Sequence, residues 1–163
     1  MAEVGIVSQT RPGMPQSMGL VLAMSLLLTS AFAQDAPQRL QNRATLGAGM
    51  YNMQVEVALT PQEHAIGLMH RNSMGANEGM LFVFDRPGVQ CFWMKNTLIP
   101  LAVAFVADDG EVVNIDEMKP RSLDSHCSTK PVRYVLEMNT GWFQKKGIKA
   151  GQKLSGAPFG SPR

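Results

Sequence analysis

Residues 101–107 and 111–118 are two mainly apolar segments separated by Asp108-Asp109-Gly110. An Asp-Gly pair flanked in this way is one of the stronger local signals for a β-hairpin, because glycine accepts the positive φ that a tight hairpin turn needs. Two adjacent antiparallel strands follow from this stretch alone.

The rest of the chain reads in the same idiom of short runs and turns. Residues 53–59 alternate, with Val55, Val57 and Leu59 on one face and Gln54, Glu56 and Ala58 on the other, as in a half-buried strand. Thr60-Pro61-Gln62-Glu63 then supplies an N-cap hydroxyl, a proline at the first helical position and a glutamate three residues after the cap. That pattern predicts a short helix over 61–69 with Ala65, Ile66 and Met69 facing inward. The apolar run 79–84 and the segment 89–94 flank Asp85-Arg86-Pro87-Gly88, which predicts two buried strands joined by a tight turn. Residues 132–138 read as a further strand, 140–146 as a short helix stopped by Gly147, and 151–154 as a last short strand. The loop 119–131 is polar, irregular and long enough to be suspected of function. Six or seven strands with two short helices predict a mainly β domain, a compact β-sandwich or barrel and not a doubly wound sheet.

Length and composition fix the boundaries. The chain has 163 residues, 45% hydrophobic and 17% charged, which is room for one globular domain. Residues 19–28 are apolar, Thr29 and Ser30 follow, and Ala31-Phe32-Ala33 offers small residues at a cleavage site, so 1–33 read as a signal peptide. The segment ahead of the apolar run carries only Arg11 as a base, opposed by Glu3, and starting translation at Met14 or Met18 in place of Met1 adds no positive charge. The run is shorter than the roughly 20 apolar residues that a membrane-spanning helix needs, and no cysteine follows the cleavage site to take a lipid. The expectation is an exported periplasmic or secreted protein with no stable membrane anchor. Residues 34–49 read as a flexible leader, 50–156 as the domain and 157–163 as a loose tail. A formal charge of +2 predicts no nucleic-acid partner, and the cluster Lys145, Lys146, Lys149 and Lys153 suits a solvated helix end and its exit.

Two cysteines, Cys91 and Cys127, form an even set in a chain read as exported, which predicts one disulfide. The bridge would tie the segment after Cys91 to the loop around His126. In that segment Phe92-Trp93-Met94 reads as core, and Lys95-Asn96-Thr97 delivers a cation, an amide and a hydroxyl at a strand end. Such a set can grip an anionic or carbonyl group.

Glu137 lies inside a predicted strand and shares a face with Arg133 and Val135. Two roles are open to it: an ion pair with Arg133, Arg71 or Lys95, or a general base beside Lys95 and Asn96. His64 is placed on the polar side of the first helix, His70 at its end and His126 in the long loop; no pair has the one-turn spacing of a helical metal site. Met69, His70 and Met74 form the one local group suited to copper, while the remaining methionines are scattered as gap fillers. No serine stands in a Gly-x-Ser-x-Gly elbow, and no metal site or cofactor is implied.

Gly67-Leu68-Met69-His70-Arg71, the run 79–84, the segment 92–97 before Ile99-Pro100-Leu101, and Tyr134-Val135-Leu136-Glu137 with Gly141, Gly147 and Gly151 occur in this order. Together they resemble the domain-of-unknown-function 192 family over about residues 50 to 156. The resemblance implies a small exported β domain with a jelly-roll-like arrangement and no established activity. The family commonly carries Asp after Ile-Pro-Leu, where this chain has Ala102. The sequence thus predicts a binding or accessory module of the cell envelope for a small ligand or envelope component, with Arg71, Lys95, Asn96, Thr97, His126 and Glu137 as candidate ligand contacts. The competing readings are a hydrolase or lyase using Glu137 with Lys95 or His126, and a copper or other metal carrier.

Overall fold

A computed structural model describes residues 36–159. The expected signal peptide, the alternative start sites and residues 160–163 lie outside the described residues.

The strands are β1 (Arg43–Ala48), β2 (Tyr51–Ala58), β3 (Glu78–Gly88), β4 (Cys91–Phe92), β5 (Leu101–Val106), β6 (Val112–Met118), β7 (His126–Cys127), β8 (Val132–Asn139) and β9 (Leu154–Ser155). Two short helices, α1 (Pro61–Ile66) and α2 (Trp142–Lys145), complete the set. Seven strands form one curled sheet in the order β6-β5-β8-β3-β2-β1-β9, a half-barrel, and β4 with β7 makes a second, two-stranded sheet. The expected mainly β architecture with two short helices is therefore present. The hairpin at Asp108-Asp109-Gly110 joins β5 to β6, with Gly110 at φ 86°.

One pairing decides where the site lies. β2 and β3 run parallel, whereas all other strand pairs in the large sheet are antiparallel. A parallel pair needs a connection that returns along the sheet, and residues 59–77, carrying α1, supply it. Registered neighbours then divide the sheet into two faces. Val57, Leu81, Leu136 and Ala104 form a cross-strand row in one core, and Ala58, Phe82, Val135 and Phe105 form the next row in the other. With both faces covered, all six residues of β5 are buried. Full burial of a side chain such as Phe105 contributes about 1.5–3 kcal/mol.

Four expectations are corrected. Residues 43–48, expected within a flexible leader, form β1, which pairs along its length with β2. β2 is not half-buried: from Val55 to Ala58 both of its faces are covered. β3 runs on through the expected turn to Gly88, and 89–94 does not pair with it. β4 pairs with β7 instead, with Cys91 opposite Cys127 and Phe92 opposite His126. The Cys91–Cys127 disulfide is formed, as expected. Finally, the start of the expected loose tail is packed, since Phe159 lies edge-on against Tyr134 at 5.1 Å.

Candidate functional site

The side chains of Glu56, Met80, Glu137 and Val103 form one cross-strand row on β2, β3, β8 and β5, on the face beneath α1. Two carboxyls are thereby buried in one row, and they meet different fates. Glu56 is 5% exposed and bound by Arg71, whose Nη1 donates to Oε1 at 3.0 Å and Nη2 to Oε2 at 2.6 Å. The Leu40 amide donates to Glu56 Oε2 at 2.8 Å, and Arg43 approaches Oε1 at 3.6 Å. Burial alone would raise the Glu56 carboxyl, but the Arg71 and Leu40 hydrogen bonds and the charges of Arg71 and Arg43 outweigh it and hold it below its ordinary value.

Glu137 is 4% exposed and has no such partner. Its carboxyl makes no hydrogen bond or ion pair among the described residues. Burial pushes it up to about 8, and the Arg71 charge opposes this without cancelling it. At neutral pH it is mostly the protonated acid, able both to donate and to accept. The backbones of β3 and β8 approach closely here, because a side chain at Gly79 would collide with the carbonyl oxygen of Glu137 and the sulfur of Met138.

Glu137 faces a cleft of about 390 Å³. One wall is α1 and its exit, with His64, Ala65, Ile66, Gly67, Leu68 and Met69; the other walls are Phe82 and Phe84 of β3, the 90–93 segment and Thr97. The capping box fixes the start of α1: Thr60 Oγ1 accepts from the Glu63 amide at 3.2 Å, and Glu63 Oε2 accepts from the amides of Leu59 and Thr60 at 2.7 and 2.9 Å. Its end is fixed by Gly67, at φ 49°, where a Cβ would lie 3.2 Å from the Phe82 ring. Gln38 donates from Nε2 to the carbonyls of Glu63 and Gly67, both at 2.9 Å, so the expected leader anchors this wall. No residue of α1 is buried; Ala65 and Ile66, expected to face inward, present apolar surface to the cleft.

The lining is aromatic. Phe92 packs edge-on against Phe82 at 4.8 Å and Phe84 at 6.5 Å. His64 was expected on the polar side of the helix, yet its ring lies 4.6 Å from Phe84 and its Nε2 donates to the Ala58 carbonyl at 3.1 Å. Trp93, expected as core, is 51% exposed at the rim. The disulfide holds Phe92, because Cys91 lines the cleft and is bonded to Cys127.

Of the six candidate contacts, the cleft brings together Glu137 and Thr97. Thr97 is buried by its backbone, its amide donating to Met94 O at 3.0 Å and its carbonyl accepting from the Arg121 amide at 3.1 Å; its hydroxyl makes no hydrogen bond among the described residues. The others stand elsewhere. Arg71 is committed to Glu56, and Arg133 pairs with Asp108 at 2.9 Å, so neither forms the expected ion pair with Glu137. Lys95 is exposed and lies 5.6 Å from the centre of the Trp93 ring, and Asn96 is exposed with its carbonyl accepting from the His70 amide. His126 Nδ1 lies 3.6 Å from Asp116 Oδ2, outside the cleft. The 119–131 loop contributes no lining residue. Met69 lines the cleft while Met74 packs against the core beneath it, and among the described residues no three His, Cys, Asp or Glu side chains are grouped to hold a metal ion. Ala102 lies in the core on the face opposite Glu137.

Glu56, His64, Phe84 and Trp93 were not among the candidates. Strict alternation from Met80 through Phe82 places Phe84 on the Glu137 face, a signal available in the sequence.

No curated protein matches the chain. A Sinorhizobium meliloti 1021 protein, described as a proposed transcription regulator, is similar in structure, with a TM-score of 0.67 and 37% identity over 71% of this chain and 92% of that one. A protein of unknown function from Novosphingobium aromaticivorans DSM 12444 is similar with a TM-score of 0.64 and 36% identity over 69% of this chain and 83% of that one. Residues 43–156, the curled sheet with its aromatic cleft, match the family described as DUF192, Uncharacterized ACR, and the chain belongs to that family.

Proposed function

We propose that this protein is a ligand-binding module of the cell envelope, and that its ligand enters the cleft between α1, β3 and the 90–97 segment. The observation that carries the reading is Glu137: a carboxyl that is 4% exposed, lines the cleft and has no hydrogen-bonding or ion-pairing partner among the described residues. Burying such a group without compensation is costly, and a ligand group that completes its hydrogen bonding recovers the cost. The disulfide fits an oxidising compartment, and no helix among the described residues is long and apolar enough to cross a membrane. A charge of +2 with lysines gathered only at 145–153 offers little to a polyanion such as DNA.

The test is a fragment screen read by amide shifts on the isotope-labelled, oxidised protein. Hits should perturb residues 61–69, 90–97 and 137, and should be lost in Ala65→Trp, which fills the cleft from an exposed position on α1. Hits that all fall on other surfaces would sink the reading.

A second reading has one observation in its favour. A carboxyl still protonated near pH 7 in a cleft is suited to general-acid chemistry. Lys95 and His126, the expected partners, do not line that cleft, whose other polar side chains are His64, Gln90 and Thr97. Turnover of any ester or glycoside that disappears in Glu137→Gln would favour this reading over simple binding.

A further inference from the structure

We propose that the cleft takes a small organic cation, an ammonium group on a compact apolar body, held by the Glu137 carboxylate among the rings of Phe82, Phe84, Phe92 and Trp93. The inference rests on the cleft being the binding site and names the class of its ligand.

The argument is one of charge. The cleft contains a carboxyl with no cation paired to it among the described residues, and its lining includes four aromatic rings, whose faces carry negative charge density and attract ammonium groups. Each positive group near Glu137 is already engaged. Arg71, from the segment after α1, forks onto Glu56 of β2. His64 of α1 donates its Nε2 proton to Ala58 O. His126 of β7 lies against Asp116 of β6, two strands from Glu137 in the same cross-strand row. Lys95 lies over Trp93, which is 51% exposed. An anion entering the cleft would find hydrogen-bond donors in Gln90, Thr97 and the protonated Glu137, but no cation committed to the cleft among the described residues. A cation meets the carboxyl and the rings favourably.

Binding has a definite proton balance. Glu137 gives its proton to solvent, the ammonium keeps all of its bonds, and the pair formed is neutral overall. Burial raises the proton affinity of Glu137, so cation and proton compete for the same carboxyl and cation affinity rises with pH. The cavity of about 390 Å³ suits a ligand of modest size.

The matched probes are choline and 3,3-dimethyl-1-butanol, which have nearly the same shape and differ in charge. Calorimetry on the oxidised protein should show choline binding about tenfold or more tightly than the alcohol at about pH 9, with the preference shrinking at about pH 6 and protons released on binding. Glu137→Gln should bring the two probes level. Trp93→Leu, at a half-exposed position, should weaken choline more than the alcohol. If the alcohol binds in the cleft as tightly as choline at about pH 9, the cation inference falls and the cleft remains a binding site. If choline leaves the cleft residues unperturbed at every pH, the inference is overturned, and the fragment screen decides the fate of the cleft separately.

Discussion

Replacing Glu137 by glutamine should change the pH dependence of stability more than stability itself. In the native protein burial holds this carboxyl up to about 8, whereas in the unfolded chain it regains its ordinary value of 4.5. Between those two values the native state binds the extra proton, so stability falls as pH rises. A rise of this size at about 1.4 kcal/mol per pH unit amounts to about 5 kcal/mol, fully present as a penalty only above the native value and absent below the unfolded one. Glutamine keeps the shape and the hydrogen-bonding atoms but cannot ionise. The variant should therefore match the wild type near pH 4.5 and exceed it by several kcal/mol near pH 9. Urea unfolding of both proteins at intervals between these limits measures the difference, and with no free cysteine among the described residues, disulfide exchange has no internal thiol to start from. Other titrating groups cancel between the two proteins. A stability difference that stays constant across the range would refute the claim that Glu137 is buried without a partner.

Three further outcomes follow from the same geometry. Reducing the Cys91–Cys127 bridge, which spans 36 positions, should cost about 4 kcal/mol in the chain-entropy account and release the Phe92 wall, seen as a lower unfolding midpoint in denaturant. Arg71→Met should cost about 3–5 kcal/mol by leaving Glu56 charged and buried, and Arg71→Met with Glu56→Leu should recover much of that loss in the same assay. Acid unfolding should follow Glu56 in the opposite sense to Glu137: its lowered proton affinity stabilises the fold above its ordinary range, and that contribution disappears as pH falls through the native value.

What the sequence made legible was local. The Asp108-Asp109-Gly110 hairpin, the Thr60–Glu63 capping box and the β8 strand each depend on residues within a few positions of one another, and all are present. The disulfide could be expected because only one pairing exists. The site was less legible because it is made by neighbours far apart in sequence. Nothing near Glu56 announces Arg71, since the pair forms only when β2 and β3 run parallel and the crossover returns over the sheet. Period-two alternation put Glu56 on the face away from Val57 and Glu137 on the face away from Leu136, but it could not show that these are one face or that α1 would cover it. Treating exposed polar Lys95 and Asn96 as the centre of the site followed from their chemistry; their placement follows from Met94, which is fully buried and turns them outward.

The most direct measurement is a carbon-detected NMR titration of the Glu137 side-chain carboxyl in the free, oxidised protein. A midpoint near 8, falling when an organic cation is added, is the predicted result. A midpoint at or below the ordinary 4.5 would mean that Glu137 has a partner of its own, and the cleft would lose the group that defines it.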